Sequence, residues 1–216
     1  MKSSTNATDV PESAPPPYSE AAPAYSPPPT APQTSPSRTL HVHYDSKCNA
    51  NCTILDTDIS TPLYQVETHR LRSPQIAISS ATTGQEVGTA KLHGPSSNLE
   101  CTLGSLSTRC TIKSKGLFKD GCTFPSPMGA KEGATWTWRG DSVSKVNIVC
   151  EDEMGMVVAK FETANWDLKK SGRLELMGKV DGRDEVKRMA MEAVLITGMA
   201  LIEYQRRRSS GCSSAA

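Results

Sequence analysis

The sequence predicts a mainly β fold: a closed barrel of about twelve strands around a central, hydrophobic C-terminal α-helix, preceded by a disordered proline-rich arm. Short β-branched and apolar runs recur at even spacing between residues 40 and 179, and the stretch Met189–Ile202 is apolar on nearly every side of a helix. A helix of that kind must be wrapped by other parts of the chain or by lipid. Closing the sheet around the helix would supply the wrapping and remove the exposed sheet edges.

The first 39 residues are rich in Pro, Ser, Ala and Thr and contain neither Leu nor Ile. Such a segment cannot bury enough apolar surface to offset the entropy of ordering it. We therefore expect residues 1–39 to be a disordered arm with polyproline II character. The folded domain is expected to span residues 40–208, and residues 209–216 to form a flexible tail.

One short motif in the arm has a defined binding chemistry. The segment Pro15-Pro16-Pro17-Tyr18 matches the Pro-Pro-x-Tyr pattern, which presents a preformed polyproline II helix to the aromatic groove of a WW domain. Tyr18 would be the anchor, and a WW-bearing ubiquitin ligase is one partner that fits. The alternative is a chance tetrapeptide in a proline-rich segment.

The strands are predicted from runs of four to seven residues that are separated by turn residues, such as Thr83-Gly84 and Arg139-Gly140-Asp141. Many short strands at regular spacing are typical of a sandwich or a barrel. The predicted strands are Leu40–Tyr44, Cys52–Asp56, Leu63–Thr68, Gln75–Ser80, Glu86–Leu92, Asn98–Leu103, Arg109–Lys113, Gly121–Phe124, Ala134–Arg139, Lys145–Cys150, Met156–Phe161 and Arg173–Lys179.

The helix is predicted over residues 183–205. Its apolar stretch of fourteen residues would span about 21 Å, which is short for a bilayer core of about 30 Å. A buried core helix is therefore expected rather than a membrane span. Glu192 interrupts the apolar stretch and needs either a partner or an exit to water. A structural ion pair is the simpler role for it, and a functional one is the alternative.

Composition and motifs narrow the range of functions that this sequence predicts. The net charge of +1 predicts no nucleic-acid binding. Seven scattered cysteines and the lack of an apolar run after Met1 predict reduced thiols, no signal peptide and a cytoplasmic protein. No G-x-S-x-G, H-E-x-x-H or glycine-rich phosphate loop is present in the sequence. We therefore expect a non-enzymatic protein without a cofactor.

Four residues near the first strands have side chains that bind metals: His41, His43, Cys48 and Cys52. Two imidazoles and two thiolates can hold zinc in a tetrahedral site. Their spacing matches no established metal motif, so we predict exposed strand histidines and free thiols rather than a metal site.

Several segments carry a resemblance to a known superfamily. They are Pro62–Thr68, Gln75–Ser80, the strand Trp136-Thr137-Trp138, Val157–Phe161 and the helix end Glu203–Arg208. In this order, after a disordered arm, they resemble the tubby C-terminal-like superfamily, which includes LURP-one-related proteins and phospholipid scramblases, and most closely a fungal branch of it. The resemblance covers residues 40–208 and implies a twelve-stranded barrel around a central helix.

The resemblance also suggests a ligand, because tubby domains hold a phosphoinositide head group with paired basic residues on the barrel surface. Two pairs are candidates here, and three arginines at the helix end could contact anionic lipid or be a solvated helix end. These residues are Arg70, Arg72, Lys113, Lys115, Arg206, Arg207 and Arg208. Two features of scramblases have no clear counterpart here. The cysteines are scattered rather than clustered. In place of the acidic calcium-binding segment ahead of the last helix, Val180–Glu185 is short and contains arginine.

The leading hypothesis is a binding or adaptor module that associates with anionic lipid, in the cytoplasm or peripherally at the plasma membrane, and that recruits a WW-domain protein through Tyr18. A lipid-moving protein of scramblase type is the second hypothesis. A protein-only interaction or stress-response module is the third.

Overall fold

The computed structural model describes residues 35–45, 51–69, 71–93, 98–104, 106–112, 121–128, 133–140, 147–163 and 171–211 of the 216-residue chain. Residues 1–34 of the predicted arm (1–39) and residues 212–216 of the predicted tail (209–216) lie outside these ranges.

Within these described ranges, twelve β-strands precede one long helix. The strands are β1 (Arg38–Tyr44), β2 (Cys52–Leu55), β3 (Pro62–Thr68), β4 (Ile76–Ser80), β5 (Glu86–Leu92), β6 (Asn98–Leu103), β7 (Leu106–Ile112), β8 (Cys122–Pro125), β9 (Thr135–Gly140), β10 (Ile148–Glu151), β11 (Val157–Thr163) and β12 (Ser171–Leu176). The helix, α1, is Glu185–Gly211.

Every strand pairs antiparallel with its neighbour in sequence, and β1 also pairs with β12. In that pairing Arg38 lies opposite Leu176, and Leu40 opposite Leu174. The strand order therefore closes on itself as a barrel. The prediction of a mainly β fold with one C-terminal helix is confirmed.

Alternation along the strands determines which side chains enter the barrel. In β9 the pattern places Trp136 and Trp138 inside, and both are fully buried. In β1 it places Leu40 and Val42 inside, while His43 is exposed. The regular two-residue period of a strand thus builds an apolar lining from sequences that are only half apolar.

Helix α1 fills this lining. Its apolar side chains between residues 193 and 202 are at most 5% exposed, and they pack with the inner faces of the strands in one hydrophobic core. Close approach is possible because glycine faces the contact: a Cβ on Gly88 would come within 2.2 Å of Ile196 Cδ1. The indole Nε1–H of Trp138 donates a 2.8 Å hydrogen bond to Thr197 Oγ1, which in turn donates to the Ala193 carbonyl. The central helix is therefore held by packing and by a satisfied buried polar contact.

The helix is longer than predicted at its C-terminal side. It begins two residues after the predicted start, because Asp184 accepts a 2.8 Å bond from the Lys187 backbone N–H in the manner of an N-cap. It extends six residues past the predicted end. Glu203 bonds to side chains three and four residues later, which stabilises the additional turn.

The barrel has two distinct ends. At the proximal end, where the helix begins, the Arg38 side chain donates a 3.1 Å bond to the Asp181 carbonyl. At the distal end, where the helix leaves the barrel, Arg207 donates a 2.8 Å bond to the carbonyl of His69, just after β3. The strands β1, β3, β5 and β7 run from the proximal to the distal end.

Candidate functional sites at the two ends of the barrel

A groove of about 760 Å³ opens at the proximal end. Its walls come from the start of β3, the β4–β5 and β6–β7 turns, and the segment after β8. Four helix residues close it on the inner side: Arg188, Met189, Glu192 and Ala193. The volume lies in the range of small-molecule sites.

Glu192 and Arg188 are the two charged groups at the inner side of this groove. The Glu192 side chain is 17% exposed, and its Oε1 lies 3.4 Å from the Tyr64 hydroxyl and 3.9 Å from Arg188 Nη1. Burial raises the pKa of Glu192, although Arg188 and the Tyr64 hydrogen bond oppose the shift. Burial, together with the carboxylate of Glu192, also raises the pKa of Tyr64. The sequence predicted that Glu192 needs either a partner or access to water. In the structure it has a distant ionic partner, Arg188, and it also lines the groove.

Two further acids are buried at the proximal end. Asp152 pairs with Lys179, and Asp181 pairs with Arg183 and Lys187. Sequence reasoning did not single out either acid. Both lie in turns between regular elements, where acidic residues are common and give no signal of burial.

At the distal end, a buried glutamate holds two of the predicted lipid-contacting arginines. Glu203 is 7% exposed and accepts 2.7 Å bonds from the Nε atoms of Arg206 and Arg207. Both guanidinium groups are half-buried, and Arg207 also bonds to the His69 carbonyl. These two arginines are therefore engaged in fixing the helix end as well as contributing positive charge.

The other predicted basic residues are related to the same end by topology. Arg72 is exposed in the β3–β4 connection, and Arg70 in that connection lies outside the described residues. Strand β7 ends at the distal end with Ile112. Lys113 and Lys115, which follow it in sequence, lie outside the described residues, as does the side chain of Arg208.

The three metal-ligand candidates that the structure describes, His41, His43 and Cys52, are not brought together. His41 and His43 alternate with buried residues and face outward from β1, whereas Cys52 is buried inside β2. Burial raises the pKa of Cys52 to about 12, which disfavours the thiolate that a metal would need. Cys48 lies outside the described residues. In the described part of the chain, no group of three or more His, Cys, Asp or Glu is arranged to hold a metal ion.

The Pro15-Pro16-Pro17-Tyr18 motif lies outside the described residues. Within the described ranges, no helix has the length and apolarity that spanning a bilayer requires.

Comparisons with known proteins give little guidance. The chain matches no protein-family model and no curated protein. Among solved structures it is similar to an Arabidopsis thaliana protein determined by X-ray crystallography, with 10% sequence identity and a TM-score of 0.46. The alignment covers 77% of this chain and 93% of that chain. The function is therefore inferred from this chain's own residues.

Proposed function

We propose that this protein is a binding module whose barrel associates with anionic lipid through its distal end and whose N-terminal arm recruits a WW-domain protein. The observation that carries the lipid part is topological. The β3–β4 connection, the end of β7 and the C-terminal end of α1 share one end of the barrel. The basic residues of three separate sequence segments, Arg70/Arg72, Lys113/Lys115 and Arg206–Arg208, belong to these elements or follow them directly.

The strength of such an interaction can be estimated. A basic residue near an anionic membrane surface contributes about 1 kcal/mol, and salt screens that attraction. Glu203 already neutralises part of the charge of Arg206 and Arg207. The pairs Arg70/Arg72 and Lys113/Lys115 are therefore expected to contribute more of the affinity for lipid. Binding should therefore be modest, reversible and salt-sensitive.

An exposed apolar side chain also supports binding of the membrane at the distal end. Leu71 stands between Arg70 and Arg72 in sequence, and its side chain is fully exposed. An apolar side chain flanked by cations suits the boundary between head groups and acyl chains. On a surface facing only water, this exposed leucine would have no comparable role.

The experiment is flotation of the full chain with neutral vesicles and with vesicles that contain phosphoinositide, at low and high salt. The double variant Arg70→Gln/Arg72→Gln, and separately Lys113→Gln/Lys115→Gln, should reduce binding to the anionic vesicles. The matched control removes the same charge at the proximal end, as Arg183→Gln/Arg188→Gln, and should bind like the parent.

Two results would overturn the lipid proposal: no binding of the parent to any anionic vesicle at low salt, or equal losses in the distal and proximal variants. The first would leave a protein-only interaction module. Calcium-dependent transfer of labelled lipid between leaflets would instead favour the scramblase-type alternative, in which α1 would have to leave its packed core.

The arm is tested separately. Prolines restrict a chain to extended conformations, so we expect docking of the Pro15–Tyr18 motif into a WW domain to order few additional torsions. Tyr18→Ala should abolish capture by WW domains that select Pro-Pro-x-Tyr. Tyr25→Ala, which removes the same side chain elsewhere in the arm, should leave capture intact. Equal capture of the two variants would remove the WW proposal without affecting the lipid proposal.

A further inference from the structure

We propose that the groove at the proximal end is a binding site for a small organic cation with an apolar body, such as an alkylammonium, whose cationic group pairs with Glu192. This site is at the opposite end of the barrel from the proposed lipid surface and is independent of it.

The shape of the groove is the first argument. At about 760 Å³ it is large enough for a ligand with a body of several carbons. It is bounded by the start of β3, by turns that join paired strands, and by α1. Because the sheet and the core fix these strands and α1, we expect the walls to be largely preformed. A preformed site loses less ordering entropy when it binds.

The charge of the lining is the second argument. Two carboxylates, Glu86 and Glu192, line the groove with one guanidinium, Arg188. Arg188 lies 2.8 Å from Glu185 Oε1 but 3.9 Å from Glu192 Oε1. The arginine is therefore held mainly by a residue outside the groove lining, and the groove keeps a negative character that favours a cation.

The state of Glu192 is the third argument. Its contacts to Tyr64 and Arg188 both involve Oε1 and are both long for hydrogen bonds. The raised pKa of Glu192 reflects a carboxylate whose burial is incompletely offset. A ligand ammonium that reaches this carboxylate would make a charge-assisted hydrogen bond, which is stronger than a neutral one.

The apolar walls select the rest of the ligand. Leu63, Val87 and Leu103 are partly buried against the core and line the groove. Met189 lines it from the helix and is 42% exposed. A flexible methionine at the rim can adapt to an apolar body of varied shape. An inorganic cation would leave these walls unused, whereas an alkylammonium would cover them.

The test uses three probes of similar length: n-octylammonium, n-octanol and octanoate. Titration calorimetry on the full chain should give at least about tenfold tighter binding for the ammonium than for the alcohol, because only the ammonium forms the charged bond. Octanoate should bind most weakly, because Glu86 and Glu192 repel it.

Glu192→Gln should remove the preference for the ammonium over the alcohol while leaving a cooperative thermal transition. Glu67→Gln is the matched control, because it removes an exposed carboxylate from the same strand as Tyr64 but outside the groove lining. It should keep the preference. Equal affinity of the parent for all three probes, or a preference that survives in Glu192→Gln, would overturn the proposal. Vesicle flotation of Glu192→Gln should be unchanged, so failure of this site is distinguishable from failure of the lipid surface.

Discussion

Two glutamates on the same helix show how strongly one residue's surroundings determine its role. Glu203 is buried and bonded to two arginines at 2.7 Å, so its charge is compensated and it stabilises the helix end. Glu192 is only half-buried, and its partners are distant. A buried charge without close partners costs free energy. We infer that the role of Glu192 is in binding rather than in stability.

The pH dependence of stability tests this difference. Because the folded state raises the pKa of Glu192, the folded state holds this proton more tightly than the unfolded state. The contribution of Glu192 to stability is therefore fully present below its unfolded pKa of about 4.3 and is lost as pH rises through the higher folded pKa. Glu192→Gln should unfold at a higher temperature than the parent at pH 7, and the gain should vanish near pH 4. Thermal melts across that range measure it, and a variant less stable than the parent at pH 7 would contradict it.

Sequence reasoning could identify Glu192, because it is the lone acid in an apolar stretch. It could not identify Tyr64, which lies far away in sequence and meets Glu192 only through the barrel closure. The role of Arg206 and Arg207 was only partly predictable. Their spacing of three and four residues from Glu203 was visible, but whether that glutamate is buried depends on tertiary packing.

At the scale of elements, the helix and the strand interiors were the most predictable parts. The stretch Met189–Ile202 has an apolar character that only a surrounding shell satisfies, and the alternation around Trp136 and Trp138 indicates one buried face. Strand limits were less predictable. Strand β7 is Leu106–Ile112 rather than Arg109–Lys113, because pairing with β6, and not local composition, determines where it starts.

The core position of α1 gives a prediction at this scale. Leu195→Asp should unfold the domain, because it buries an unpaired charge at a site that is 1% exposed. A loss of about 4 kcal/mol or more is expected. Val186→Asp, on the same helix but 52% exposed, should be tolerated. Chemical denaturation of both variants measures the difference, and a fully folded Leu195→Asp with the parent's midpoint would contradict a buried central helix.

The contact between β5 and α1 gives a second prediction at the scale of elements. A Cβ on Gly88 would lie 2.2 Å from Ile196 Cδ1 and 2.4 Å from the Thr102 carbonyl oxygen. Gly88→Ala should therefore cost about 1–3 kcal/mol by overpacking. Gly178→Ala meets nothing within 4 Å and should change the free energy of unfolding by less than about 1 kcal/mol. Similar denaturation midpoints for the two variants would show that β5 and α1 do not pack this closely.

For the molecule as a whole, the closed strand order separates two ends with different chemistry. The proximal end carries the groove and its acids, and the distal end carries the connections that contain or precede the basic pairs. The sequence predicted the basic residues individually. It could not predict that the β3–β4 connection, the end of β7 and the C-terminal end of α1 share an end, because that depends on the antiparallel order of the strands. The groove could not be predicted from the sequence either, since its walls come from three separate connections, the start of β3 and the helix.

The limits of the folded unit can be tested by truncation. Deleting residues 1–34 should leave the thermal transition unchanged, because their composition supports no core. Deleting residues 1–39 should lower stability by about 2 kcal/mol or more. It removes Ser37, which bonds to the Leu176 carbonyl, and Arg38, which bonds to Asp56 at 2.8 and 2.6 Å. Equal melting temperatures for the two truncations would show that β1 begins later than Arg38.

The most direct test of the central claim asks which end of the barrel meets the membrane. Leu71 at the distal end and Met154 at the proximal end are both strongly exposed, so either can be changed to Asp without disturbing the core. Flotation with phosphoinositide vesicles at low salt is the measurement. The account predicts that Leu71→Asp loses most of the binding, because it removes the apolar contact and adds a repelled charge, while Met154→Asp binds like the parent. Loss of binding in Met154→Asp with retention in Leu71→Asp would contradict the account.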